Sequence, residues 1–147
     1  MRPLIQTEAD AARMRSIALS WIGTPWVADG AVKGTGVSCS TLPWSILHEF
    51  GHTAPPVPSR QNILKRDILA TMQRFLNEHP EHYLPVELKD AAPGDILAID
   101  AGIGHAALVL GGTQIIHCWQ KGGVHRSTFS DQLFATRVVG VWRPIVS

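Results

Sequence analysis

The sequence has 147 residues, of which 45% are hydrophobic and 17% charged, and its formal net charge is +1. These values predict one folded domain over residues 1–147 with a packed core, and they exclude a disordered chain. The near-neutral charge gives no reason to expect nucleic acid or an anionic membrane as partner, and no apolar run is long enough to cross a bilayer. The first residues include acids and no apolar stretch, so we expect synthesis in the cytoplasm without a secretory signal.

Three helices are predicted in the first half of the chain. In each segment a capping residue precedes apolar positions at helical spacing, and Gly or Pro follows them. The predicted helices run from Thr7 to Ile22, from about Ser40 to Phe50, and from Ser59 to the His79-Pro80 pair. A loop with three glycines, residues 29–36, separates the first two.

The pattern changes to strands after Pro93-Gly94. Five short apolar runs follow, separated by Gly-rich turns: DILAI, HAALVL, TQIIHCW, GVHRSTF and TRVVGVWR. Such runs are typical of strands joined by tight turns. Helices followed by strands predict an α+β domain, in which the N-terminal helices pack on an antiparallel sheet of about five strands.

One candidate centre is the sequence H-E-x-x-H within residues 45–56. On a helix, His48 and His52 would lie one turn apart and share a zinc ion, with Glu49 as general base. Zinc needs a third protein ligand, and the metzincin extension would place a histidine where this chain has Pro58. A zinc metallopeptidase is therefore kept as an alternative hypothesis.

The other candidate centre begins at Cys39. This cysteine follows the Gly-rich loop and precedes a helix, where the helix dipole is expected to lower its pKa and its backbone N–H could hold an oxyanion. Ser38 and Ser40 are candidate caps of the same turn. The second cysteine, Cys118, lies in an apolar run and is expected to be a small buried side chain.

A nucleophilic cysteine needs a base, and the base needs an orienting partner. His105 and His117 lie on consecutive predicted strands joined by Gly111-Gly112, a hairpin signal. If the turn centres on these glycines, residue 105 pairs near residue 118 and the two imidazoles become neighbours across the pair. A slip of one residue would send His117 to the other face. A structural role for either histidine stays open, and His125 is the alternative third member.

Several segments resemble motifs of the NlpC/P60 family of cysteine peptidases, in the same order. The stretch WIGTPWVADGAVKGTGVSCSTLPWSILHEFG resembles the family's G-T-P-Y, D-C-S-G-L and E-F-G motifs. APGDILAI is similar to its P-G-D-L strand, GHAALVLGGTQIIHCW to its H-V-G-I-Y segment with the later I-H-A, and PPVPSRQ to its L-P-R-x-S-x-x-Q connector. The similarity extends from about Trp21 to Trp119.

This resemblance implies a papain-like α+β fold and a cysteine peptidase or amidase that hydrolyses peptidoglycan stem peptides, commonly beside γ-D-glutamyl. It implies Cys39 as nucleophile, His105 as general base and His117 as the orienting residue, with no metal or other cofactor. The chain looks most like the single-domain phage-tail or prophage members. We therefore expect it to act at the cell wall, with phage-tail proteins as partners that deliver it.

The sequence departs from the family pattern near the nucleophile. Ser38 replaces the Asp whose carboxylate is thought to hold the substrate's amino group, and Thr41 replaces a Gly. Trp26 replaces the Tyr of G-T-P-Y, and its indole N–H can donate a hydrogen bond but accept none. We expect Trp26, Ser38 and Ser40 to contact the substrate or the oxyanion. A non-catalytic tail or binding component that retains the fold is a further alternative.

Overall fold

The computed structural model describes residues 1–130 and 135–147. In this part of the chain the helices are α1 (Glu8–Leu19), α2 (Thr41–Phe50) and α3 (Ile68–Asn77). The strands are β1 (Arg2–Pro3), β2 (Ala31–Val32), β3 (Gly36–Val37), β4 (Tyr83–Val86), β5 (Ile96–Asp100), β6 (Gly104–Gly111), β7 (Gln114–Trp119), β8 (Gly123–Thr128) and β9 (Val138–Val146). Helices come first and most strands later, so the predicted α+β class is confirmed.

The main sheet is antiparallel and runs in the order β1-β9-β5-β6-β7-β8, with β4 also paired to β9. The five predicted strands correspond to β5 through β9. Two further strands of this sheet, β1 and β4, were not predicted; they are short and both pair with β9. Each contains a proline, which removes one backbone donor and weakens the sequence signal for a strand. The segment predicted as a Gly-rich loop instead contains a small separate hairpin of β2 and β3, just before α2.

The helix ends follow the predicted local chemistry. Asp10 N donates to Thr7 Oγ1 at 3.0 Å, and Thr7 N donates to Asp10 Oδ2 at 3.2 Å, which forms a capping box at α1. This helix ends at Leu19, earlier than the predicted Ile22. Gly51, with φ +125°, ends α2 as predicted.

None of the helices in residues 1–130 and 135–147 is both long and apolar enough to cross a membrane.

The predicted start of the third helix at Ser59 is wrong. The α-helix begins at Ile68, after a short 3₁₀ turn over Lys65–Asp67. Ser59 caps no helix, because its Oγ donates to Asp29 Oδ2 at 2.9 Å and the adjacent Arg60 N donates to Asp29 Oδ1 at 3.0 Å. Asp29 therefore ties this connector to the Gly-rich loop before α2.

Both faces of the sheet are buried at its central strands, β5, β6 and β7. Met14 of α1, Ile46 of α2 and Leu108 of β6 belong to a core cluster that joins the helices to the strands. Alternate strand residues form a second cluster, which includes Val109 of β6 and Ile115 of β7. Burial on both faces makes β6 a rigid support for a side chain placed at its first residues.

We expect Gly123→Ala to lower the free energy of unfolding by roughly 2–4 kcal/mol, because it combines left-handed backbone with steric overlap. Gly123 has φ +67°, and an added Cβ would lie 2.4 Å from the Thr24 carbonyl oxygen. Gly112→Ala is the matched control, since Gly112 has φ +56° and nothing within 4 Å of the added Cβ. Urea unfolding of both variants checks this. Equal losses of stability would contradict the close contact between Gly123, at the start of β8, and the Thr24 carbonyl.

Candidate active site

A network of hydroxyl groups shapes the turn that leads into α2. Ser38 N donates to Thr41 Oγ1 at 2.9 Å, and Thr41 N donates to Ser38 Oγ at 3.3 Å. Thr41 Oγ1 also donates to the carbonyl of Gly30 in the Gly-rich loop. Ser38 therefore caps this turn, whereas Ser40 is the N-cap residue but makes no capping bond with its side chain. The turn places Cys39 two residues before the helix.

Cys39 is 5% exposed, and its sulfur contacts groups from later in the chain. Arg60 Nη1 lies 3.5 Å from Cys39 Sγ, and the Gly104 carbonyl oxygen lies 4.0 Å from it. Burial raises the pKa of the Cys39 thiol, while the charge of Arg60 opposes this effect. The predicted lowering of this pKa is wrong, because the position at a helix start does not compensate for the loss of water around the sulfur.

His105 and His117 are directly bonded. His105 Nε2 and His117 Nδ1 are 2.9 Å apart, and each residue is 2% exposed. In the hairpin Ala107 pairs with His117, which places His105 diagonally across from His117 on the same face. The predicted pairing of residue 105 near residue 118 is wrong by one position. The register shifts between Val109 and Gly111, so that Gly111 pairs with Gln114 and the turn is displaced by one residue.

The imidazoles are held in the neutral form. The His105 ring stacks on Trp119, with centroids 3.9 Å apart and planes 1° apart. Burial, reinforced by neighbouring positive charges, lowers the pKa of His105 to about 3 and that of His117 to about 4. Because His105 bonds to His117 through Nε2, its Nδ1 is the nitrogen left to exchange a proton in the cavity.

His125 lies beyond His117. Its ring centroid is 4.5 Å from that of His117, and its Nδ1 bonds to the Gly123 carbonyl at 3.1 Å. The buried Nε2 of His117 has no hydrogen-bond partner among the residues that the structure describes. The geometry therefore places His117, and not His125, in direct contact with His105.

Cys39 and His105 both line one cavity of about 540 Å³. Trp26, Arg60, Lys65, Cys118 and Trp119 also line it. No direct hydrogen bond joins Cys39 Sγ to His105 in the described part of the chain. Catalytic hydrogen bonds are often long in a substrate-free enzyme and shorten in the substrate complex.

The residues predicted to contact substrate differ in position. Trp26 lines the cavity, because its backbone bridges to Val37 beside the Cys39 turn. Ser38 is fully buried and Ser40 lines only smaller neighbouring pockets, so neither lines the main cavity. Cys118 is buried, as the sequence predicted, and both Cys39 and Cys118 are free thiols.

Arg60 is the functional candidate that sequence analysis missed. It lies in the SRQ segment of the connector and was given no role, because its proximity to Cys39 depends on the distant Asp29 contact. The sequence feature that could have pointed to Arg60 is its position within the connector that resembles the family's motif. Its half-buried guanidinium places a positive charge in contact with the sulfur.

The H-E-x-x-H sequence does not form a metal site in residues 1–130 and 135–147, where no three His, Cys, Asp or Glu side chains are grouped to hold an ion. His48 is exposed and stacks on Trp44. Glu49 forms an ion pair with Lys33 at 2.9 Å. Because α2 ends before Gly51, His52 leaves the helical face and its Nε2 bonds to a backbone carbonyl of β9 at 3.2 Å.

Comparison with known proteins agrees with the resemblance in the sequence. The profile of the NlpC/P60 family matches residues 23–143. No curated protein matches the chain. Among solved structures, the fold of this chain is similar to that of a Staphylococcus aureus protein described as similar to a lipoprotein of the NLP/P60 family. The TM-score is 0.67 and the sequence identity is 19%. That match covers 99% of this chain but only 44% of the staphylococcal protein.

Two further structures are described as peptidoglycan hydrolases. The NlpC/p60 domain of SagA has a TM-score of 0.59 and 22% identity, and the match covers 92% of this chain and 98% of that domain. RipB of Mycobacterium tuberculosis has a TM-score of 0.59 and 17% identity, and the match covers 95% of this chain and 66% of RipB. At these identities the likeness shows a common fold.

The raised pKa of Cys39 predicts how its reaction with iodoacetamide depends on pH. Because only the thiolate reacts, the rate should increase about tenfold per pH unit between pH 6 and pH 8. Mass spectrometry of the alkylated Cys39 peptide measures the rate, and Cys39→Ser gives the background from Cys118. A rate that is independent of pH below 7 would show that the thiolate is already formed, and would contradict the raised pKa of Cys39.

The buried neutral histidines predict a loss of stability in acid. The unfolded chain takes up protons below a pKa of about 6.5, whereas folded His105 and His117 stay neutral to about pH 3 and 4. Stability is therefore complete above pH 6.5 and falls as the pH decreases, by up to about 1.4 kcal/mol per unit for each histidine. Urea unfolding between pH 7 and pH 4.5 should show a smaller slope in His117→Gln. The exposed control His48→Gln should keep the wild-type slope, and an unchanged slope in His117→Gln would contradict the burial argument.

Proposed function

The chain belongs to the NlpC/P60 family, and on this basis we propose that it is a cysteine peptidase or amidase that hydrolyses peptidoglycan stem peptides. The main observation is that Cys39 and His105, far apart in sequence, line one cavity, and that His105 is bonded to His117. The substrate class is supported by two proteins of similar fold that are described as peptidoglycan hydrolases.

In the proposed first step, Cys39 Sγ attacks the carbonyl carbon of the scissile amide. The thiol is protonated at rest and His105 is neutral, so His105 Nδ1 accepts the thiol proton as the C–S bond forms. The backbone N–H of Cys39 donates to the oxyanion. His105 then gives the proton to the leaving amine, the C–N bond breaks, and a thioester with Cys39 remains.

In the second step a water molecule attacks the thioester while His105 Nδ1 takes its proton. The carboxylic acid product leaves, and the proton returns to the sulfur of Cys39. His117 contributes by orientation, since its Nδ1 accepts from His105 Nε2–H and keeps the other ring nitrogen of His105 unprotonated. Stacking on Trp119 restricts the same ring.

We propose the bacterial cell wall as the place of action, because that is where the substrate occurs. Delivery by a phage tail, with tail proteins as partners, stays a prediction from the single-domain resemblance in the sequence.

We expect Cys39→Ala to abolish the release of peptide fragments from purified peptidoglycan, as measured by mass spectrometry. His48→Ala should keep wild-type activity, because this exposed histidine lies outside the cavity. EDTA should have no effect. Activity that EDTA removes and zinc restores would support the metallopeptidase alternative, and a folded wild type that releases no fragment would support the non-catalytic alternative.

A further inference from the structure

Arg60 places a positive charge beside the nucleophile. Its Nη1 lies 3.5 Å from Cys39 Sγ, and this is the one side-chain hydrogen bond that the guanidinium makes within the described residues. None of the ion pairs found in that part of the chain includes Arg60. A guanidinium has five N–H donors, so most of them remain free to bind a ligand.

The rest of the cavity does not neutralise this charge. Arg60 and Lys65 are the charged side chains among the described residues that line it, and no Asp or Glu does so. His105 is neutral near pH 7, because burial holds its pKa at about 3. The cavity is therefore positively charged, which favours an anionic group and disfavours an ammonium group.

The Cys39 turn supplies no carboxylate either. At the position where the family pattern has an Asp, Ser38 is fully buried, and its hydroxyl is bonded to Thr41 at 2.9 Å and to Ser40 at 3.2 Å. The side chain of residue 38 is thus engaged within its own turn. It does not line the cavity and offers no negative charge to a substrate amine.

The position of Arg60 is fixed by contacts outside the cavity. Asp29 accepts hydrogen bonds from Arg60 N at 3.0 Å and from Ser59 Oγ at 2.9 Å. Asp29 itself has φ +55°, an uncommon value for a residue with a side chain. The carboxylate of Asp29 thus holds the Arg60 backbone and forms no ion pair with its guanidinium.

We infer that Arg60 determines specificity by binding a carboxylate of the substrate next to the scissile amide. A planar guanidinium matches a carboxylate with two parallel N–H donors. In a γ-linked glutamyl residue three carbons separate the free α-carboxylate from the carbonyl that the sulfur attacks. A cation that contacts the sulfur at 3.5 Å is therefore close to that carboxylate. The inference rests on the proposed function, and it adds that a free amino terminus is not required.

Two matched peptides test this inference: an N-acetylated γ-D-glutamyl peptide with a free α-carboxylate, and the same peptide with an α-carboxamide. Wild type should hydrolyse the carboxylate peptide with a kcat/KM roughly 10- to 100-fold higher, the range expected for a hydrogen bond between charged groups. In Arg60→Gln this ratio should fall to about one. Any effect of the substitution on Cys39 itself applies to both peptides and cancels in the ratio.

The control is Arg66→Gln, which removes the same charge from an exposed residue outside the cavity and should keep the wild-type ratio. Arg60→Lys should keep part of the preference, because a lysine keeps the charge but loses the planar pair of donors. Equal kcat/KM values for both peptides in wild type would overturn the inference, and so would an unchanged ratio in Arg60→Gln.

A binding measurement separates this inference from the proposed function. In Cys39→Ala, the fluorescence of Trp26 and Trp119 in the cavity reports on peptide binding. The carboxylate peptide should bind more tightly than the carboxamide peptide, and its affinity should fall as salt is added. If wild type hydrolyses neither peptide, the proposed function fails, and the binding preference still decides the role of Arg60. Equal affinities would overturn that role.

Discussion

The hydrogen bond between His105 and His117 depends on the register of β6 against β7. With Ala107 opposite His117, the two imidazoles leave the same face and meet at 2.9 Å. A shift of one residue would place them on opposite faces and remove the bond. The strands on either side, β5 and β8, pair along most of their length and keep this register in place.

Burial determines the electrostatics of the site. Cys39, His105 and His117 are each at most 5% exposed, so the charged forms of all three are disfavoured. The thiol and the imidazole are therefore neutral at rest, and a thiolate–imidazolium pair is not formed in advance. Arg60 is the cation that favours negative charge in this environment, first on the sulfur and, in our proposal, on a substrate carboxylate.

Much of this fold could be predicted from local sequence. The Thr7 capping box and the stop at Gly51 are determined by neighbouring residues, and the five main strands by short apolar runs between Gly-rich turns. The convergence of Cys39 with His105 was predicted from a helix start and a hairpin together with the family resemblance. The family itself is confirmed by the match over residues 23–143.

The remaining features depend on contacts between distant residues. Ser59 looks like a helix cap, but it bonds to Asp29, which lies thirty positions earlier in the chain. The same contact brings Arg60 to Cys39, so the role of this arginine was also missed. The predicted thiol pKa considered the helix start alone, whereas the depth of burial is known only once the chain is folded.

The most direct test of the account is the protonation state of His105, measured from the ¹⁵N chemical shifts of its ring. At pH 7 we predict a neutral ring with the proton on Nε2, bonded to His117, and with Nδ1 unprotonated. The ring should remain in this form as the pH is lowered to 5. A proton on Nδ1, or a doubly protonated ring at pH 7, would contradict the central claim, because His105 could then not accept the proton of Cys39.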